Sequence, residues 1–412
     1  MSDYILAKQN GRTIPLEDKI FGISSRAKAM IAEKGADKVI NATIGSLLDD
    51  EGKLVVLSSV VDTMKTLNPV DFADYAPIGG TPQFREAVKK AAFGSFQPSC
   101  FTEAVATPGG TGAIRNTISN YSRMGDKILT SDWHWAPYNT IAGELGRCID
   151  TYPMFDENGM FHVNAFGEKV RELIAEQKSL VIILNTPAHN PTGYSLTLED
   201  WSGVLNVLRG EAGKAESIVL LVDAAYIDFA GDEEEYRRFL PELEKLPENI
   251  LPIIAYSLSK TYTLYGTRCG AMICMAQTAE VAAEFRRVCE FSSRGSWSNS
   301  AKLAQVILSK IYADEELLKK VNEERAEYRE MLIQRGRAFE EEAQKAGLEI
   351  VPFDAGFFAS IPCDNPDEIS RKLEKEGLFI VPLAKGLRVS VASVSEAACR
   401  KIPAMVKKAM AE

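Results

Sequence analysis

The stretch Tyr256-Ser-Leu-Ser-Lys260-Thr-Tyr-Thr-Leu-Tyr-Gly-Thr-Arg268-Cys-Gly270 sets a lysine behind two serines and eight residues ahead of an arginine. The apolar run 251–255 delivers this lysine, and a second apolar run, 270–275, follows. A lysine held against apolar surface has a depressed pKa and becomes a usable amine nucleophile. An amine, hydroxyls and a fixed cation together suit a cofactor that carries one aldehyde and one phosphate, which is the make-up of pyridoxal phosphate.

Four other stretches offer groups of matching kinds. Thr107-Pro-Gly-Gly-Thr-Gly112 stands where a strand passes into a helix and presents backbone amides and a positive helix end to a phosphate. The dinucleotide fingerprint is not met there, because no Gly-x-Gly-x-x-Gly follows the strand. Asp223 ends the apolar run 218–222 and is placed to keep a pyridinium nitrogen protonated; capping a helix is the other ordinary use of such an aspartate. Tyr226, three residues on, has a hydroxyl to offer to a phenolic oxygen on the same ring. Asn190-Pro-Thr-Gly193 has turn chemistry with a side-chain amide facing inward, and His189 before it reads as a packed neighbour rather than a base. Arg388 sits in the apolar run 386–391, where an arginine needs a carboxylate or an aromatic partner, and its fork grips a carboxylate at two points.

These segments need a scaffold that brings distant parts of the chain to one crevice. Between about residue 80 and residue 275, short β-rich runs (104–107, 127–130, 180–184 and 218–222) alternate with helical stretches such as 112–123 and 198–209. That alternation predicts an α/β fold with a mostly parallel sheet covered on both faces. Ligands of such sheets bind beyond the carboxyl ends of the strands, and each polar cluster above follows a strand. From 313 to 347 the pattern becomes a long charged helix with an apolar stripe at Leu318, Val321, Tyr328, Leu332, Phe339 and Ala343. Short strands at 356–361 and 387–391 and helices at 366–376 and 395–411 come after it. The expectation is a large domain over residues 46–312 and a smaller α+β domain made of 1–45 and 313–412.

Composition excludes some partners. The 412 residues are 46% hydrophobic and 25% charged with a net charge of −10, which argues against nucleic acid or an anionic membrane as partner. Seven cysteines without a Cys-x-x-Cys pair suit a reducing compartment, and the three histidines form no metal-ligand spacing. Residues 1–8 lack a secretion signal and no apolar run reaches membrane-spanning length, so a cytoplasmic protein is expected.

Taken in order from Gly45 to Arg388, the segments resemble the fold-type I pyridoxal-phosphate-dependent aminotransferases, in particular the aspartate/aromatic class. The resemblance implies that Lys260 carries the cofactor's aldehyde carbon and that Arg268, Ser257 and the amides of Gly110 and Thr111 hold its phosphate. It implies that Asp223 pairs with the ring nitrogen, and Tyr226 and Asn190 with the phenolic oxygen. Trp135, in Ser131-Asp-Trp-His-Trp-Ala136, falls where the family stacks an aromatic on the ring, with Trp133 as the competing choice. Arg388 would grip the substrate α-carboxylate, with Gly45 closing over it. Tyr75 and Arg294 match residues that serve the neighbouring subunit of a homodimer, Tyr75 at the phosphate and Arg294 at the side-chain carboxylate of a dicarboxylic substrate.

The implied reaction moves an amino group between an L-amino acid, aspartate first, and a 2-oxo acid such as 2-oxoglutarate. Aromatic amino acids are the close alternative, and lyases or decarboxylases of the same fold the distant one. The sequence departs from aspartate enzymes at Tyr138 and Asn185, where histidines are common, and at Ala224, where an aromatic is usual.

Overall fold

The computed structural model describes Leu6 and residues 18–412, and the structural statements below concern those residues. Residues 1–8, on which the expectation of no secretion signal rested, lie outside them except for Leu6. The first helix is α1 (Lys19–Lys34), and the first strand, β1 (Ile40–Asn41), is only two residues long. Seven strands then build the main sheet: β2 (Phe101–Thr107), β3 (Lys127–Ser131), β4 (Cys148–Tyr152), β5 (Ser179–Asn185), β6 (Ser217–Asp223), β7 (Ile250–Ser257) and β8 (Gly270–Ala276). Two helices on this sheet matter for the site, α2 (Gly109–Tyr121) after β2 and α3 (Pro137–Glu144) after β3.

The strand order is β2-β8-β7-β6-β5-β3-β4, and neighbours from β7 through β4 pair in parallel. β8 alone is reversed, antiparallel to both β7 and β2. A parallel return usually needs a covering helix, but the connection from β7 to β8 is spent on the turn that carries Lys260, so the chain comes back antiparallel. Both faces of the sheet are apolar for a reason visible in β5 and β6. Leu180, Ile182, Leu184, Ile218, Leu220 and Val222 enter one core cluster, while the alternate residues Val181, Ile183, Val219 and Leu221 enter another.

The long helix α4 (Glu315–Ala346) starts two residues after and ends one residue before the span expected from sequence. The Asp314 side chain caps it by accepting from the Leu317 N–H, and Gly347 ends it in the left-handed region at φ 60°. Val321, Leu332, Phe339 and Ala343 are buried as expected, and so are Arg325 and Arg335, which look like surface charges in the sequence. Beyond α4 lie β9 (Phe358–Pro362), β10 (Leu378–Phe379), β11 (Val381–Leu383) and β12 (Gly386–Ser390). β11, β12 and β9 form an antiparallel sheet in that order, with Arg388 in the central strand opposite Ser360 and Val381. β1 pairs in parallel with β10, and α1 is tied to the helix Pro366–Lys375 by Lys19–Asp367 and Arg26–Glu374 ion pairs. The early part of the chain therefore packs against its late part.

Candidate active site

Beyond the carboxyl ends of the parallel strands lies a cavity of about 320 Å³. Gly45, Gly110, Thr111, Trp135, Asn190, Asp223, Tyr226, Ser257, Lys260, Arg268 and Arg388 all line it. Eleven of the residues singled out from sequence thus meet in one place, from seven separate stretches of chain. Trp133 does not join them, being buried in the main core cluster. Tyr75 and Arg294 stand elsewhere: Tyr75 is 83% exposed, and the exposed Arg294 donates to Ser298 Oγ at 2.6 Å.

One end of the cavity is built for an anion. Helix α2 starts without a side-chain cap, so the amides of its first turn keep their hydrogens for a ligand. Gly109 opens the turn at φ 67°, and a Cβ there would lie 2.8 Å from Arg268 Nη2. The glycine thus leaves room for the guanidinium to lie over the helix start. Arg268 itself is a non-glycine residue in the left-handed region, at φ 48° and ψ 55°, a strained backbone of the sort that collects at ligand sites. Its Nη1 donates to Ser259 Oγ at 3.0 Å, a hydroxyl of the lysine motif to which the sequence alone assigns no role. Amides, hydroxyls and a guanidinium with no carboxylate among them fit a phosphate.

At the other end, Lys260 faces Asp223. Lys260 comes from the short helix Leu258–Thr261, with its Nζ 4.8 Å from the Tyr265 ring centroid and 5.7 Å from that of Tyr226. Burial pulls its amine down to about 8, with Arg268 and Arg388 adding to the effect and Asp223 opposing it. Asp223 is buried at the tip of β6, and its desolvation pushes the carboxyl up against hydrogen bonds from Tyr138 and the Ala225 N–H. Tyr138 Oη donates to Asp223 Oδ2 at 2.6 Å. Asp223 is not a helix cap; the N-cap of the turn that follows is Tyr226. Asn190 Nδ2 donates to Tyr226 Oη at 3.3 Å, so the two groups expected at a phenolic oxygen already touch.

The Asn190 turn is locked to the strands below it. Asn185 Oδ1 accepts from the Asn190 N–H at 2.6 Å, while Asn185 Nδ2 donates to the Asp223 carbonyl at 2.8 Å. His189 is buried against Thr192 Oγ1 at 2.8 Å, and burial, with His134 adding to it, drops its imidazole to about 3. Burial against Thr192 and this low value make His189 a packed neutral imidazole and a weak base, in line with the expectation that it is a neighbour rather than a base.

Arg388 reaches the cavity from β12. It is buried, donates from Nη2 to the Thr43 carbonyl at 2.9 Å and rests 4.4 Å from the Phe358 ring centroid. The aromatic partner expected for a strand arginine is therefore Phe358. Its Nε is buried without a partner among the described residues, and burial lowers the guanidinium to about 10. A buried cation with an unused donor has the chemistry to receive a carboxylate. Gly45 lies flat on the same ring, where a Cβ would meet Phe358 Cζ at 2.9 Å.

Residues that motif reading missed complete the walls. Ile20, Phe21 and Ser24 come from α1, and Tyr265 accepts from the Leu47 N–H at 3.0 Å, joining the Lys260 loop to the Gly45 segment. The spacing of Tyr265 between Lys260 and Arg268 was a usable signal; the α1 residues carried none. Below the cavity, buried Asp228 accepts from Arg237 Nη2 at 2.7 Å, Tyr256 Oη at 2.8 Å and Thr261 Oγ1 at 2.7 Å. Burial would raise its carboxyl, but Arg237 and Arg325 outweigh that and hold it well below the usual range. One carboxylate thereby ties the turn after Tyr226 to the turn holding Lys260.

The donor set fits pyridoxal phosphate: an anion cradle at one end, an amine of lowered pKa in the middle, and a buried carboxylate and paired hydroxyl and amide for the ring's polar atoms. Comparison with known proteins agrees. An aromatic-amino-acid aminotransferase of Escherichia coli is 25% identical over 382 residues, covering 89% of this chain and 92% of that one. A mitochondrial aspartate aminotransferase of Schizosaccharomyces pombe is 28% identical over 307 residues, covering 71% of this chain and 66% of that one. The crystal structure of an aminotransferase from Anaerococcus prevotii superposes with a TM-score of 0.96 at 36% identity, over 99% of this chain and 100% of that one. Residues 37–404 match the family described as aminotransferase class I and II, and with the cavity assembled as above the chain belongs to that family.

Proposed function

We propose that the protein moves an amino group between an L-amino acid and a 2-oxo acid, with a dicarboxylic donor, aspartate first, and 2-oxoglutarate as acceptor. The observation that carries this reading is Lys260 held between Asp223 and Arg388 in one cavity. Pyridoxal phosphate, when bound, supplies an aldehyde to capture the amino group and a ring to take up the electron pair released at the α-carbon. The chain's own residues do the rest. Arg388 binds the α-carboxylate and fixes which bond faces Lys260. The Lys260 amine, half neutral near pH 8, takes and returns the α-proton. Asp223 balances the positive ring nitrogen, and Trp135 covers a ring face and keeps water from it.

The dicarboxylate preference rests on Arg294, which, like Tyr75 at the cofactor phosphate, would be supplied by a second copy in a homodimer. The high exposure of Tyr75 supports that arrangement. A second reading, aromatic donors, is favoured by the apolar wall of Ile20, Phe21, Ile44, Ile114 and Phe358. The division into domains 46–312 and 1–45 with 313–412 belongs to the same proposal, supported by the β1–β10 pairing. No described helix is long and apolar enough to cross a membrane; the cytoplasmic placement is a proposal that rests on the sequence of residues 1–8, the lack of a long apolar run and the cysteine usage. A coupled assay over a panel of amino donors with 2-oxoglutarate tests the preference. Aspartate should lead, with Arg294→Ala lowering its kcat/KM far more than that for phenylalanine. Equal losses for both substrate types would overturn the role of Arg294 and leave the aromatic reading.

A further inference from the structure

Tyr138 stands at a junction that the reaction as described does not use. It lies in the first turn of α3 and is completely buried. Its hydroxyl meets Asp223 Oδ2 at 2.6 Å, while its ring is edge-on to Trp135 at 5.5 Å and 88°. Its N–H donates to the Trp135 carbonyl at 2.9 Å. The same residue thus touches the carboxylate and the indole that border the cavity on two sides. Among the described residues, Asp223 Oδ1 takes only the Ala225 N–H, at a long 3.3 Å, so this oxygen keeps capacity for a further donor.

We propose that Tyr138 is a positioning residue of the cofactor site, whose hydroxyl keeps the Asp223 carboxylate ionised and oriented while its ring seats Trp135. The physical argument begins with the cost of burying a carboxylate. Without a donor at Oδ2, Asp223 would lower that cost by holding a proton itself, and a protonated acid cannot balance a ring cation. The phenol is suited to the task because burial, and then the Asp223 charge, push its own ionisation far above the working range. It is an uncharged donor at every physiological pH.

The groups around this pair are few. Tyr226 faces Asp223 from the following turn, and burial keeps it protonated too. His134 stacks on Tyr138 at 6.4 Å and is pushed down by burial. Lys260 is the one neighbour that changes charge near neutrality, at about 8. Asn185 and Asn190, the polar neighbours from the β5 side, carry no charge.

The inference rests on pyridoxal phosphate as the cavity's ligand, and the test separates the two. Full-length apo-protein labelled with 13C at the aspartate carboxyls would be titrated by NMR, with Asp223→Asn assigning the signal. In Tyr138→Phe the Asp223 midpoint should rise by about one pH unit, the effect of one charge-assisted hydrogen bond. Pyridoxal phosphate affinity should weaken about tenfold, and more as pH falls. Should Tyr138→Phe fail to fold, 3-fluorotyrosine at 138, a stronger donor, should move the midpoint the other way. An Asp223 midpoint that ignores both changes would overturn the proposal, even if affinity falls. Failure of the wild-type protein to bind pyridoxal phosphate would instead sink the reading of the cavity itself.

Discussion

At the scale of single residues, the site is a set of groups whose surroundings have moved them from their ordinary chemistry. Lys260 is the plainest case. Below about 8 its amine is protonated and inert as a nucleophile, and above that value it is neutral. The rate at which apo-protein captures pyridoxal phosphate should therefore climb with pH and level off above about 8, as stopped-flow absorbance would record. A climb continuing to pH 10 would mean that Lys260 is not desolvated. Arg388→Lys keeps the charge but loses the fork, and should raise KM for amino acids about 10- to 100-fold with a smaller effect on kcat. These residues were legible in the sequence because their types are rare in apolar runs. Phe21 and the hydroxyl of Tyr138 were not, since an aromatic residue announces neither the cavity wall nor the carboxylate it will meet.

Among the elements, what matters is how a turn is held. The Gly109 turn has to accept both a left-handed backbone and the guanidinium above it. Gly109→Ala should cost about 1–2 kcal/mol of stability through the backbone alone. Its larger mark should be on pyridoxal phosphate, with affinity down about tenfold as Arg268 is displaced, measurable by fluorescence titration. The Asp228 hub works on the Lys260 turn. Asp228→Asn would leave Arg237 and Arg325 without their buried counter-charge and should lower the unfolding free energy by about 3 kcal/mol in denaturant titrations. Because the folded-state value of Asp228 is depressed, its stabilisation is complete above the ordinary carboxylate range and fades only in strong acid. Strand-helix alternation revealed the sheet and its ligand edge before any coordinates. It could not reveal the reversal of β8, which follows from how the β7–β8 connection is used. Nor could it reveal the buried face of α4 at Arg325 and Arg335. Arg335 bonds to Leu48, Asp50 and Ala392, far along the chain, so its burial is written in no local pattern.

For the whole molecule, the exposed Tyr75 and Arg294 are the residues that the proposed homodimer would bring to a neighbouring site. Mixing Tyr75→Phe and Lys260→Ala subunits should give activity set by how the subunits pair, tracked as rate against mixing ratio. Activity that follows the Tyr75→Phe fraction alone would contradict a shared site.

The parallel bridge between Ile40–Asn41 and Leu378–Phe379 has a consequence for synthesis. A ribosome releases the first of these partners more than three hundred residues before the second. The segment bearing Gly45 must therefore wait, unpaired, until nearly the whole polypeptide has emerged. On the proposed reading of the site, Gly45 and Arg388 would be the last of its parts to come together, so a nascent chain would complete its substrate pocket only near the end of synthesis.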